Sequence, residues 1–291
     1  MRIINNAKDL AEAVSTARQH GKQIAFVPTM GALHDGHISL VELAKQNADF
    51  VVVSIFVNPL QFSANEDFDK YPRNLQADAE RLAAVGVEVV FAPTVAEVYP
   101  NGNAITQHAG PVGKTFEGEI RPEHFDGMLT VVARLFDLVQ PDSAVFGKKD
   151  AQQLFLIQRM VDNSNQRWNN LKIIAAPIIR EHSGLAMSSR NRYLNHEERE
   201  LASTIHSALL SANVGKASER LRAVEANLSP AIRLDYVALV NPNSFEPIDD
   251  SFSGQALLLI RASGQHQTVR QPEHHYLGAP DERRTQPARR I

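Results

Sequence analysis

The chain has 291 residues, 43% hydrophobic and 22% charged, with 30 Lys and Arg against 33 Asp and Glu for a net charge of −3. At about 150 residues per domain this length suits two domains with ample apolar material for a core. The slight acidity argues against a nucleic-acid partner, and the absence of Cys excludes disulfides, thiolate metal sites, iron–sulfur clusters and catalysis through a cysteine thioester.

The opening MRIINNAKDLAEAV lacks the basic-then-apolar pattern of a secretory leader. The longest near-apolar run, FVVVSIFV at 50–57, is too short to span a bilayer. A cytoplasmic protein without membrane contact is the expectation.

In chain order, strand-like runs fall at 24–28 (IAFVP), 50–57, 87–93 (VEVVFAP), 143–147 (SAVFG) and 171–179 (LKIIAAPII). Several are apolar throughout, as strands buried on both faces of a parallel sheet are. Between them, segments 37–48, 74–86, 127–139 and 150–161 repeat apolar residues at spacings of three and four, as helices do, with Gly86 at a helix C-cap. This alternation predicts a doubly wound α/β domain over 1–178, whose ligands bind at the carboxyl ends of the strands. A polar loop at 180–191 then leads to a helix from about Asn195, another over 216–228, and strands at 234–240 and 256–260. These predict a smaller α+β domain over 179–264. The Arg/Pro/Gln/His-rich stretch 265–291 offers little to bury, so a disordered tail is expected there.

Chemistry is therefore sought just after the strands. PTMGALHDGH (28–37) joins a strand, a glycine turn and a helix start, where free N–H groups and the helix dipole suit phosphate. His34 and His37 lie one turn apart and can share a pocket, as cations or as N–H donors, for charge growing on phosphate. The plain alternative is a glycine turn with two solvated histidines. A zinc site is disfavoured, because HDGH is not HExxH and no third ligand has metal spacing. NPLQF (58–62) offers Asn58 and Gln61 to orient a polar small molecule; on its own it reads equally as a strand stop with a polar loop. FGKKDAQQ (146–153) offers Gly147 for close backbone approach, Lys149 for phosphate, Asp150 for ribose hydroxyls and Gln153 a turn later. MSSRN (187–191) places two hydroxyls beside Arg190, a set suited to triphosphate oxygens or to a simple polar linker. The GKT triplet at 113–115 is no P-loop, since His108 occupies the position of the first required glycine.

Together PTMGALHDGH, VVVSIFVNPLQF, DKYPRNLQAD, RPEHFDGMLTVVARLFDLVQPD, FGKKDAQQL and GLAMSSRN closely resemble the pantoate–β-alanine ligase family, in matching order and spacing over about residues 20–195. That family belongs to the nucleotidyltransferase superfamily, whose HxGH signature stands here as HDGH. The resemblance implies a Rossmann-like first domain and an ATP-dependent amide synthesis. Pantoate attacks the α-phosphate of ATP to give a pantoyl adenylate and pyrophosphate, and β-alanine then displaces AMP to give pantothenate. It implies Mg2+ with ATP and a homodimer. Carried over by motif, Met30, Gly31, Ala32, Leu33, His34, Asp35, Gly36 and His37 line the ATP site, with His37 the active-site acid and His34 its helper. Gly147, Lys148, Lys149 and Asp150 bind ATP, and Ile179, Met187, Ser188, Ser189 and Arg190 complete that site. Lys149 and Arg190 act catalytically on the phosphates. Gln61 and Gln153 hold pantoate, with Asn58 beside them and Gln61 also near β-alanine, and Asp78 helps hold magnesium through water.

The chain departs from the family pattern at Lys148, where an acidic or amide residue is usual, and at Ser183, where Asp usually precedes the glycine. The usual Arg-Leu-Ile-Asp-Asn-like closing segment is missing after ALLLIRASG, so the small domain is expected to lack its last strand. Two alternatives stay open on these residues: a nucleotidylyltransferase acting on a phosphorylated acceptor, and a catalytically impaired nucleotide-binding relative. A class I aminoacyl-tRNA synthetase shares the His signature, but the chain is short and acidic and has no tRNA-binding module.

Overall fold

The computed structural model describes residues 1–63, 66, 68–263 and 271–277, with Ser263 and 271–277 described by backbone alone. It divides into two compact units, Met1–Arg180 with Met187–Ser189, and Glu181–Ala186 with Arg190–Ile291.

The first unit opens with β1 (Arg2–Ile4) and α1 (Ala7–Gln19), two elements ahead of the first expected strand. Then follow β2 (Ile24–Thr29), α2 (Asp35–Lys45), β3 (Phe50–Ile55), α3 (Leu75–Ala84), β4 (Val89–Phe91), α4 (Val95–Val98), α5 (Glu117–Ile120), α6 (His124–Val139), β5 (Ser143–Gly147), α7 (Ala151–Asp162) and β6 (Lys172–Ala176). The six strands pair in parallel in the order β1-β4-β3-β2-β5-β6. Central β2 and β3 are apolar almost throughout because both faces are covered, and Ala25, Val27, Val51, Val53 and Val145 share one core with Val41 and Ala44 of α2. Gly86 ends α3 at φ 73°, donating to the Ala83 carbonyl while Val87 donates to that of Leu82, the Schellman closure its position predicts.

The strand order decides where a ligand belongs. From β2 the chain builds outward through β3 and β4, and β5 then starts the other half on the opposite side of β2. The carboxyl ends of β2 and β5 thus flank the switch point at which open α/β sheets bind ligands. The loops leaving those ends are 30–34 and 147–150. Val112–Lys114 of the GKT stretch is a 3₁₀ turn and not the strand–loop–helix of a P-loop.

The second unit holds α8 (His196–Leu210), α9 (Ala217–Asn227) and an antiparallel sheet of β7 (Arg233–Val240), β8 (Ala256–Ser263) and β9 (Gln271–Leu277), in that order. Asn195 caps α8 and Glu198 reaches back to the Asn195 N–H, a reciprocal capping box. Ile205, Leu209, Val224, Leu239, Leu258 and Ile260 form this unit's core.

The expectation of a missing last strand is corrected here. β9 pairs with β8 from Ala256↔Leu277 to Ala262↔Gln271, inside the stretch read as a disordered tail. Its polar composition and Pro272 are compatible with an edge strand, where one face and one hydrogen-bonding edge need no burial or partner. The rest of that stretch, 264–270 and 278–291, lies outside the described residues.

Candidate active site

The loop after β2 is bent by left-handed residues, Gly31 at φ 81° and Ala32 at φ 52°. Asp78 of α3, buried from solvent, holds this bend. One carboxylate oxygen accepts from the Ala32 N–H at 2.8 Å and the other from the Leu33 N–H at 2.7 Å. A side chain on Gly31 would stand 2.9 Å from Asp78 Oδ2 and 3.1 Å from Ile55 Cγ2, so only glycine passes there. The bend delivers His34 to the N-cap of α2 and His37 to its first turn, with ring centroids 4.0 Å apart.

Both rings are held neutral. Burial, then the charges of Lys149 and Arg81, bring His34 down to about 4. Burial, then His34, bring His37 to about 3. The His34 backbone N–H points at His37 Nδ1 at 3.3 Å, which makes Nδ1 an acceptor and leaves the proton of the neutral ring on Nε2. His37 is thus set up as an N–H donor. His34 Nδ1 is buried with no hydrogen-bond partner, a state that an incoming ligand would relieve.

The residues after β5 reach the same place, since Lys149 and Asp150 both act electrostatically on His34 and His37. Lys149 Nζ lies 3.6 Å from Asp150 Oδ1. Segment 187–189 closes on the loop as well. Met187 N–H donates to the Ile179 carbonyl at 3.0 Å, Ser189 Oγ donates to the Ala32 carbonyl at 2.9 Å, and a side chain on Gly36 would meet Met187 Cβ at 3.5 Å. Arg190, next in sequence, belongs to the second unit.

A second cluster stands after β3, where the 3₁₀ turn Pro59–Gln61 packs on α6. Asn58 is 1% exposed. Its Nδ2 donates to the Gly127 carbonyl at 3.1 Å and to Gln61 Oε1 at 3.3 Å, while its Oδ1 accepts from Tyr99 OH at 2.8 Å and from the Leu60 N–H at 3.3 Å. Its amide thus bonds within the protein at both Nδ2 and Oδ1, and one of these bonds holds the Gln61 side chain. Among the described residues Gln61 Nε2 donates only to the Met30 thioether, at 2.9 Å, a weak acceptor that a hydroxyl would replace with gain. The Gln61 carbonyl accepts from His124 Nδ1 at 2.8 Å and Arg121 Nη2 at 3.3 Å. Arg121 Nη1 donates to His124 Nε2 at 3.1 Å, which fixes that ring as the neutral Nδ1–H tautomer. Burial, then Arg121, bring His124 to about 3. Burial pushes the Glu66 carboxyl up, but the Arg121 fork on it at 2.6 and 2.9 Å outweighs this and holds it below its ordinary value.

The sequence matches the Pantoate-beta-alanine ligase family profile over residues 2–270. The chain belongs to the pantoate–β-alanine ligase family. It is 54% identical over 252 residues to the pantothenate synthetase of Acidothermus cellulolyticus, covering 83% of this chain and 82% of that one. It is 50% identical over 254 residues to that of Nocardioides sp., covering 83% and 75%. A crystal structure of pantothenate synthetase from Thermus thermophilus superposes with a TM-score of 0.87 at 41% identity, covering 94% of this chain and 99% of that one. The Francisella tularensis ligase, solved with β,γ-ATP and β-alanine, gives 0.78 at 34% identity, covering 95% and 97%.

Within this family fold, the residues singled out by sequence divide by environment. Met30 to His37, Lys149, Asp150, Met187 and Ser189 gather at the switch point. Gln153 is half-buried on α7, while its neighbour Gln152 is buried and engaged with the Val112 and Thr115 carbonyls at 2.7 and 2.9 Å. Sequence reasoning passed over Arg121, His124, Gly127 and Tyr99 as positioning residues. The first three lie in RPEHFDGM, and a His three residues after an Arg at a helix start was the available signal. Ser183 lies in the Glu181–Ala186 turn, where its Oγ accepts from the Leu185 N–H at 3.4 Å. No helix among the described residues is long and apolar enough to cross a membrane.

Proposed function

We propose that this chain joins pantoate to β-alanine with the consumption of ATP, and that the two clusters divide the labour. The observation that carries the reading is the conjunction of a neutral, Nε2-protonated His37 at the start of α2 with a buried amide corner ending in Gln61. The polyphosphate lies along the N-terminus of α2, where Lys149 supplies positive charge and Ser188 a hydroxyl, while Ser189 Oγ stays on the Ala32 carbonyl and braces the loop. Gly147, Lys148, Asp150 and Ile179 hold the rest of the nucleotide. Gln61 and Gln153 bind pantoate through its hydroxyls and carboxylate, and the same Gln61 faces β-alanine.

The pantoate carboxylate oxygen attacks the α-phosphorus and pyrophosphate leaves, giving a pantoyl adenylate. The β-alanine nitrogen then attacks the acyl carbon, loses a proton and expels AMP. His37 Nε2–H donates to an α-phosphate oxygen as charge gathers there, with His34 beside it. No side chain needs to form a covalent intermediate, and catalysis is positioning with preorganised donors. Magnesium enters as part of the nucleotide substrate. Asp78 already accepts two backbone N–H groups, which suits it to a hydration water of that ion and not to direct ligation. The protein acts in the cytoplasm as a homodimer.

The test supplies ATP, pantoate and β-alanine and looks for pantothenate and AMP in equal amounts. Pantoate-dependent pyrophosphate release without β-alanine is expected. His37→Ala should lower kcat by at least about a hundredfold with the fold intact. A requirement for a phosphorylated acceptor would replace this reading with that of a nucleotidylyltransferase.

A further inference from the structure

Asp35 is the first residue of α2, between the two site histidines in sequence. Its side chain is 71% exposed, so nothing buries the carboxylate. It stands where the helix dipole and free N–H groups would otherwise favour a phosphate, and an acid there both occupies that field and repels an incoming polyanion. Arg81 answers it. Arg81 lies on α3 one turn beyond Asp78, and its Nη2 is hydrogen-bonded to Asp35 Oδ1. The same helix therefore reaches the loop twice, through Asp78 to the Ala32 and Leu33 N–H groups and through Arg81 to Asp35.

We propose that Arg81 is a positioning residue for the nucleotide: by pairing with Asp35 it cancels the one carboxylate at the start of α2 and leaves that end open to the polyphosphate. The reach of the Arg81 charge supports this, for it acts on His34 and His37 alike, opposing the pull of Asp35 on His34. Arg81 needs no direct contact with ATP in this role. The proposal rests on the reading that the polyphosphate lies at this loop.

The experiment measures ATP KM, pantoate KM, kcat and thermal midpoint for Arg81→Ala, Arg81→Lys, Asp35→Asn and the double variant Asp35→Asn/Arg81→Ala. An unpaired carboxylate at this range predicts that Arg81→Ala raises ATP KM roughly three- to tenfold at low salt, less at high salt, with pantoate KM unchanged. Arg81→Lys should restore most of the loss. The double variant should return ATP KM to within about twofold of the parent, because no carboxylate is left to screen. A role in merely bracing α3 would leave the double variant as impaired as Arg81→Ala and would show no salt dependence, and either result overturns the proposal. So does an unchanged ATP KM in Arg81→Ala. Asp78→Asn and His34→Ala separate the two failures: if they weaken ATP binding and Arg81→Ala does not, only the Arg81 proposal falls. If none of the three affects it, the placement of the nucleotide at this loop falls as well.

Discussion

The two clusters at the strand ends are built by opposite means. The histidine loop is held by one charged group, Asp78, which grips backbone N–H groups of a bend that L-residues otherwise avoid. Cations stand around its rim. The amide corner is held by uncharged groups in series, Tyr99 to Asn58 to Gln61, with neutral His124 beneath and the Arg121–Glu66 pair behind it. The difference suits the ligand proposed for each. A loop for a polyanion keeps its own backbone donors and nearby charges aimed outward, whereas a corner for a small hydroxy acid must engage almost every polar group internally and leave a single amide to select. One carboxylate carries the first design, while many weak bonds share the second.

The corner breaks most severely where it has no slack. A methyl on Gly127 would lie 1.9 Å from the Leu60 carbonyl oxygen and 2.9 Å from the Gln61 nitrogen. Gly127→Ala therefore must push the 3₁₀ turn off α6, at a cost of roughly 3 kcal/mol, and chemical denaturation should read that loss together with a large rise in pantoate KM. An ATP affinity that falls equally would show the two clusters to be one unit. The loop breaks at Asp78. Asp78→Asn keeps the shape but replaces one accepting oxygen with an NH2 facing a backbone donor, and should cost about 2 kcal/mol. Here ATP KM should rise while pantoate KM holds, the mirror image of the first variant.

Much of this was legible in the sequence, and the exceptions have physical causes. Apolar runs gave the central strands because a strand covered on both faces has no polar alternation to hide it. Three-residue β1 and edge strand β9 escaped because neither needs a continuous apolar run, and QPEHHYL reads as tail until its pairing with β8 is seen. The bend of the histidine loop was legible because a glycine between a strand end and a helix start marks a turn, and the structure has Gly31 at φ 81° there. The bonds of Asn58 to Tyr99 and Gly127 were not legible, since sequence shows an amide but not the partners that the fold brings to it. Gln152 and Gln153 show the same limit in adjacent residues.

Acid separates the clusters by a smaller effect. His34, His37 and His124 are all depressed from 6.5, to about 4, 3 and 3. Between those values and 6.5 the unfolded chain binds protons that the folded chain refuses, so stability is full above about 6.5 and is lost as pH falls toward 4. His124→Gln and His37→Gln should each flatten this slope in melts between pH 7 and 4.5. Only the second should alter the rate of adenylate formation by more than it alters pantoate KM. Because His34, His37 and His124 stay neutral through this range, an acid limb of kcat/KM set by them should not centre near 6.5.

The smallest effect expected is that of Tyr99→Phe, and it tests whether the corner really shares its load. Burial raises the phenol's pKa, so it stays protonated and donates to Asn58 Oδ1. Removing the hydroxyl leaves that oxygen the Leu60 N–H at 3.3 Å, and both Asn58 donors keep their acceptors. The loss should be about 1 kcal/mol in stability, with pantoate KM raised by less than about fivefold and ATP KM unmoved. A far larger effect on pantoate would mean that Tyr99 fixes the corner as singly as Asp78 fixes the loop, and the contrast between one strong grip and many weak ones would not hold.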